Sequence, residues 1–224
     1  MNFSKNLILA ICLTFNPGGP ASSLFIKPSV YLMPKEIFTN QTNWELVKSK
    51  QGIKVFSQWV TLYDGYKTRR LRGDFQVNVP LPDIIAILKD GGKVKNWMEG
   101  VSESYNLKNQ DNLWYSYARF NIPWPFDDQD LIVENTLEFT DCDTVYIHLK
   151  SLPDYLPQNP GLKRMENFYG YWKLVKLSPN ASRIEYAAYS MSEPVVPRFI
   201  QDPIVLNTFF SSLENLISYC QSSK

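Results

Sequence analysis

Histidine occurs once in the 224 residues, at His148, and cysteine three times, at Cys12, Cys142 and Cys220. A lone histidine gives no zinc-ligand spacing, and any Ser-His or Cys-His pair would have to run through it. No CxxC pair exists, and the distant Cys142 and Cys220 do not make a disulfide framework, so the fold is expected to stand on its core. There is no glycine-rich phosphate loop, since Gly91-Gly92 reads as a helix terminator. Charge of one sign is also missing: the net value of +1 gives no overall case for nucleic acid. The longest apolar run, Leu7 to Phe15, is too short to span a bilayer. Metal chemistry, phosphate transfer and nucleic-acid binding therefore lose their usual carriers, and no cofactor is expected.

The chain length suits one domain plus a leader, or at most two small domains. Hydrophobic residues at 44% and charged residues at 20% describe an ordinary globular composition, but aromatics at 14% are high. They suit a β-rich core or a large apolar pocket. Residues 1–23 read as a signal peptide: Lys5 supplies the positive start, Leu7–Phe15 the apolar run, Asn16-Pro17-Gly18-Gly19-Pro20 the break, and Ala21 and Ser23 the small residues of a cleavage site. Ile11 before Cys12 argues against a lipoprotein anchor. The mature chain is expected to begin near Leu24 and to be periplasmic or secreted; an uncleaved N-terminus and a cytoplasmic protein is the alternative. Residues 24–42 read as a linker or irregular extension, and 43–224 as the domain.

Within the domain, Asn43 caps a short helix through Trp44 and Val47, and Ile53 to Val60 form a strand. Asp64-Gly65 marks a hairpin turn. The returning strand reaches Val79, and its basic first half, Lys67 to Arg72, reads as a solvated edge. Pro80 and Pro82 open a helix whose apolar face is Ile84, Ile85, Ile87 and Leu88. Strands follow over about 101–108, 112–120, 130–139, 144–150, 165–177 and 182–191. The second of these has aromatics on both faces, so both faces are expected to be covered. The last segment, about 196–220, carries Leu206, Phe209, Phe210, Leu213, Leu216, Ile217 and Cys220 as one apolar stripe, and Pro203 should kink or divide it near its start. Consecutive hairpins make the sheet antiparallel. The natural packing is an α+β arrangement, a curved sheet wrapped around the final helix.

The stretch from Asn121 to Leu131 stands apart. Pro123 and Pro125 stiffen it, Trp124 and Phe126 project from it, and Asp127, Asp128 and Asp130 follow. Those carboxylates either do acid-base work or cap a strand edge. A curved sheet with a helix across its mouth can enclose a cavity, and the aromatics fit its lining as well as they fit a filled core.

Five pieces in order resemble START (steroidogenic acute regulatory protein-related lipid transfer) domains. They are Trp44 with Gly52-Ile53-Lys54-Val55, Asp90 to Trp97, Pro123-Trp124-Pro125 with Asp130-Leu131-Ile132-Val133, Gly170-Tyr171-Trp172-Lys173-Leu174, and Val196-Pro197-Arg198-Phe199-Ile200. Pro153-Asp154-Tyr155-Leu156-Pro157 is similar to bacterial members in particular. Gln129 stands where Arg is usual, and Ser192-Glu193-Pro194 where Asp-Pro-Gly-Gly is common. The resemblance implies a helix-grip fold with an internal hydrophobic cavity for one lipid, sterol-like or other apolar molecule. It also implies a gate formed by the Trp124 loop and the final helix. The candidate ligand-binding residues of the cavity and gate are Tyr117, Arg119, Trp124, Phe126, Asp130, Phe209, Leu213 and Leu216. Tyr117, Arg119 and Asp130 are the ionisable groups to test for the rival reading, an aromatase/cyclase-like enzyme of the same broader fold group. No catalytic constellation is seen. A monomer that touches membranes transiently, and that takes a lipid for transfer or sensing, is the expected form.

Overall fold

Period-two alternation governs most of the domain, and a sheet follows from it. The computed structural model describes residues 38–62, 65, 67–122, 126–190 and 196–222. The first strands are β1 (Phe38–Gln41), β2 (Glu45–Lys50), β3 (Ile53–Leu62) and β4 (Lys67–Val77). Helix α1 (Leu81–Lys89) and a 3-10 helix (Gly91–Asn96) come next. Then come β5 (Val101–Asn109), β6 (Leu113–Phe120), β7 (Gln129–Phe139), β8 (Thr144–Ser151), β9 (Lys163–Arg164), β10 (Phe168–Ser178) and β11 (Ala181–Ser190). Helix α2 (Arg198–Ser222) ends the described chain.

One sheet holds the strands in the order β1-β3-β4-β11-β10-β8-β7-β6-β5, with β2 added to β3 and β9 to β7. Neighbours are antiparallel except β7 and the two-residue β9. The pairing of β4 with β11 joins the first hairpin to the last one, so the sheet is continuous around α2, which packs on β3 and β4. This is the helix-grip arrangement. The core unites Ile53 and Val55 of β3, Phe75 of β4, Ile84 of α1, Leu174 of β10, and Leu213 and Leu216 of α2. Pro80 and Pro82 flank the first position of α1, and the Asp90 carboxylate accepts from the Gly92 amide at 3.1 Å where the 3-10 helix starts.

Four local expectations are corrected. The stretch at Trp44–Val47 is not a helix: Glu45–Lys50 is a strand paired with β3 through a turn at Gln51 (φ 51°) and Gly52 (φ 81°). A register shift between Leu46 and Lys48 breaks the alternation that would have shown it. Residues 38–41, within the stretch read as irregular, pair with β3. The basic run Lys67–Arg72 is not an edge, because β4 lies between β3 and β11. Its arginines are accommodated against rings, with the Arg72 guanidinium 4.6 Å from both the Trp44 and Phe56 centroids. Pro203 does not divide the last helix, which runs unbroken from Arg198 to Ser222.

Candidate ligand cavity

The register of the sheet explains why a space remains inside it. One inner row runs Leu137, Ile147, Trp172, Tyr186, Gly73 across β7, β8, β10, β11 and β4. The adjacent row runs Asn135, Leu149, Gly170, Ala188, Leu71. The first has large rings in its middle; the second has glycine and alanine there. The side chains of the second row therefore stop short of α2, and a hollow opens beside an aromatic floor. A Cβ on Gly170 would crowd the Ala187 carbonyl, so this position stays small for backbone reasons as well.

The hollow is a cavity of ≈ 610 Å³ between the inner face, the 3-10 helix and α2. That is within the usual range for small-molecule sites, roughly 300–1,000 Å³. Its depth is apolar and aromatic, including Trp97, Leu149, Trp172, Ala188 and Phe209. Trp97 meets Trp172 edge-on at 6.0 Å, and Trp172, Tyr186 and Phe209 continue as a stack. Neutral polar groups interrupt the wall at Ser116 and Asn135. The Asn135 amide nitrogen donates to the Trp114 and Val133 carbonyls and to Ser116 Oγ at 3.2, 3.1 and 3.0 Å.

Charge gathers at the rim. Arg69 bonds Asp202 at 2.8 Å, Arg198 stands 3.9 Å from the same carboxylate, and Arg198 also donates to the Lys67 carbonyl at 2.9 Å. Glu99 and Lys163 are exposed lining residues. Ile204 and Val205 of α2 line the cavity while 44% and 47% exposed, so the first half of the helix borders the opening. The second half is seated. Leu213 lies against Gly73, where a Cβ would overlap it, and Ser212 Oγ accepts from the Glu99 amide at 3.0 Å.

The expected site residues divide accordingly. Phe126 and Phe209 line the cavity. Leu213 and Leu216 are 1% and 0% exposed and pack in the core instead of lining the space. Trp124 lies outside the described residues. Tyr117 belongs to the wall strand, but its ring stacks on Tyr105 at 4.9 Å and its hydroxyl meets Asn159 at 3.2 Å. Burial, with Asp130 nearby, raises its pKa.

Arg119 and Asp130 are a correction. On β7 it is Gln129, Leu131, Val133 and Asn135 that face the cavity, so Asp130 faces the other way. There Arg164 grips it through Nε at 2.5 Å and Nη2 at 2.9 Å. The same guanidinium donates to the carbonyls of Pro153, Leu156 and Pro157, clipping the 153–157 segment onto the outer face. The hydrogen bond to Asp130 is the main reason that the Arg164 pKa is raised. Arg119 pairs with Asp128 at 3.4 Å, and Asp128 also accepts from the Ile122 amide at 3.0 Å. These carboxylates serve the strand edge. His148 bonds Glu138 at 2.8 Å.

Wall residues that sequence reasoning had not named as site residues are Trp172, Tyr186, Asn135 and Ala188. For Tyr186 and Ala188 the signal was the alternation on β11 itself: Ile184, Tyr186 and Ala188 share one face with Ser182 and Ser190.

No protein-family model matches the chain. A Pseudomonas aeruginosa protein described as uncharacterized is 26% identical over 176 residues, covering 79% of this chain and 86% of its own length. Among solved structures, a STAR-related lipid transfer protein from Xanthomonas axonopodis is 27% identical, covering 80% of this chain and 99% of that one, with a TM-score of 0.71. Human StAR-related lipid transfer protein 5 is 16% identical over 82% of this chain and 89% of its own, at a TM-score of 0.66. A Streptomyces aromatase/cyclase shares 10% identity over 69% of this chain and 94% of that one, at 0.52. The helix-grip sheet is the one this chain shares with solved START-domain structures, the bacterial one from Xanthomonas axonopodis among them.

Proposed function

We propose that the protein binds one lipid-like, largely apolar molecule in the cavity and carries or senses it. The carrying observation is the ≈ 610 Å³ apolar hollow that the glycine-alanine row leaves between sheet and helix. An acyl chain of about twelve methylenes resists leaving a membrane by roughly 10 kcal/mol, at about 0.8 kcal/mol per methylene. A carrier makes aqueous passage feasible only by burying a comparable apolar area. Native mass spectrometry of the purified protein, with extraction and identification of what it holds, tests this. Adduct-free spectra from protein expressed with membranes and then offered lipid vesicles would refute it.

The aromatase/cyclase reading requires an ionisable group inside the cavity. Two of its three candidates, Arg119 and Asp130, are paired away from it, and the Tyr117 hydroxyl is engaged by Asn159. Likeness to a cyclase at 10% identity concerns the fold. We also propose export through residues 1–23, action as a monomer, and transient membrane contact near Phe126. The leader lies outside the described residues. Intact Met1 on protein recovered from the cytosol would remove the export proposal, and a dimer in light scattering the monomer.

A further inference from the structure

Two other tyrosines of this sheet have a partner for the hydroxyl. Tyr171 donates to Glu185 at 2.6 Å, and the Tyr117 oxygen accepts from Asn159 at 3.2 Å. Tyr186 differs. It is 6% exposed and forms part of the cavity wall. Its ring is clamped between Trp172, 3.9 Å away and 13° from parallel, and Phe209, 5.4 Å away and 8° from parallel. No hydrogen bond or charge from a described residue acts on its hydroxyl; burial alone governs its ionisation and keeps it neutral. A phenol so enclosed ordinarily finds a partner. The stack denies it the freedom to swing towards one.

The cavity's charged lining residues are Arg69, Glu99, Lys163, Arg198 and Asp202. Glu99 and Lys163 are exposed, and the other three are joined to one another at the entry to α2. No charged group is therefore paired with the Tyr186 oxygen, and a charged ligand group there would be buried without compensation. We propose that the Tyr186 hydroxyl anchors one uncharged oxygen, an alcohol or a carbonyl, on an otherwise apolar ligand. The proposal rests on the cavity-binding reading and narrows it to neutral, singly polar amphiphiles held with that oxygen inward.

Delipidated protein is titrated calorimetrically with dodecanol and with chlorododecane, which matches its length but lacks the hydroxyl. The wild type is expected to bind dodecanol about fivefold to tenfold more tightly, the worth of one buried hydrogen bond. Tyr186→Phe keeps the stacked ring and removes an unpaired group, so it should melt no lower than the wild type. It should lose the preference for dodecanol over chlorododecane. Equal affinity of the wild type for both probes, or a preference that survives in Tyr186→Phe, overturns the anchor and leaves the cavity reading standing. Folded wild-type protein that binds neither probe overturns both. Equal wild-type affinity for the two probes overturns the anchor even should the variant fail to fold.

Discussion

Asp130 is fully buried, and both of its carboxylate oxygens accept from Arg164, itself only 4% exposed at the side chain. With so little solvent to screen it, the pair should be costly to break. Asp130→Asn leaves a buried guanidinium facing a neutral amide, and a loss of about 3–5 kcal/mol is expected in urea unfolding. Because Arg164 also holds three carbonyls of the 153–157 segment, the same variant should be cut faster there by limited proteolysis. Gly73 poses the opposite problem, with too little room instead of too much charge. Gly73→Ala drives a methyl into Leu213, and overpacking of that kind costs roughly 1–3 kcal/mol. Its effect should appear as a lower melting temperature with the overall spectrum of the fold unchanged.

Elements differ in how far the sequence declares them. On β7, Leu131, Val133 and Leu137 alternate with Asp130 and Glu134, so both the strand and its apolar face are legible. That same alternation puts Asp130 opposite Leu131. Reading the Asp130 motif as a cavity acid overrode the simpler evidence of period two. β2 was hidden by its bulge, and β9 by being two residues long. The final helix was legible as a stripe, but a stripe does not separate a residue that lines a hollow from one that fills a socket. That distinction came from Gly73, on the far side of the contact. Leu213→Ala should therefore behave as a core truncation, losing about 2–5 kcal/mol with an unchanged range of bound ligands. Phe209→Ala, by contrast, should alter which ligand lengths are retained in competition experiments, because Phe209 borders the cavity.

For the whole molecule, net charge of +1 limits how it can meet a membrane. Each basic residue near an anionic surface contributes about 1 kcal/mol, and such attraction fades beyond a Debye length of roughly 10 Å at 0.1 M salt. Exchange of lipid with vesicles should therefore depend weakly on salt and more on apolar contact. If the Trp124 loop gates the cavity, Trp124→Ala should change the exchange rate while thermal melts show an intact fold. Wild-type kinetics in a stable variant would remove the gate. The aromatic floor has an optical consequence as well. Trp97 and Trp172 are two of six tryptophans, and both border the cavity while only 3% and 4% exposed. Filling or emptying that space changes the polarisability beside two indoles at once, so the protein's own emission should report occupancy. Stripping bound lipid should shift the emission maximum, and returning lipid from vesicles should restore it on the timescale of uptake. The chain would then be its own label, readable in stopped flow without a dye.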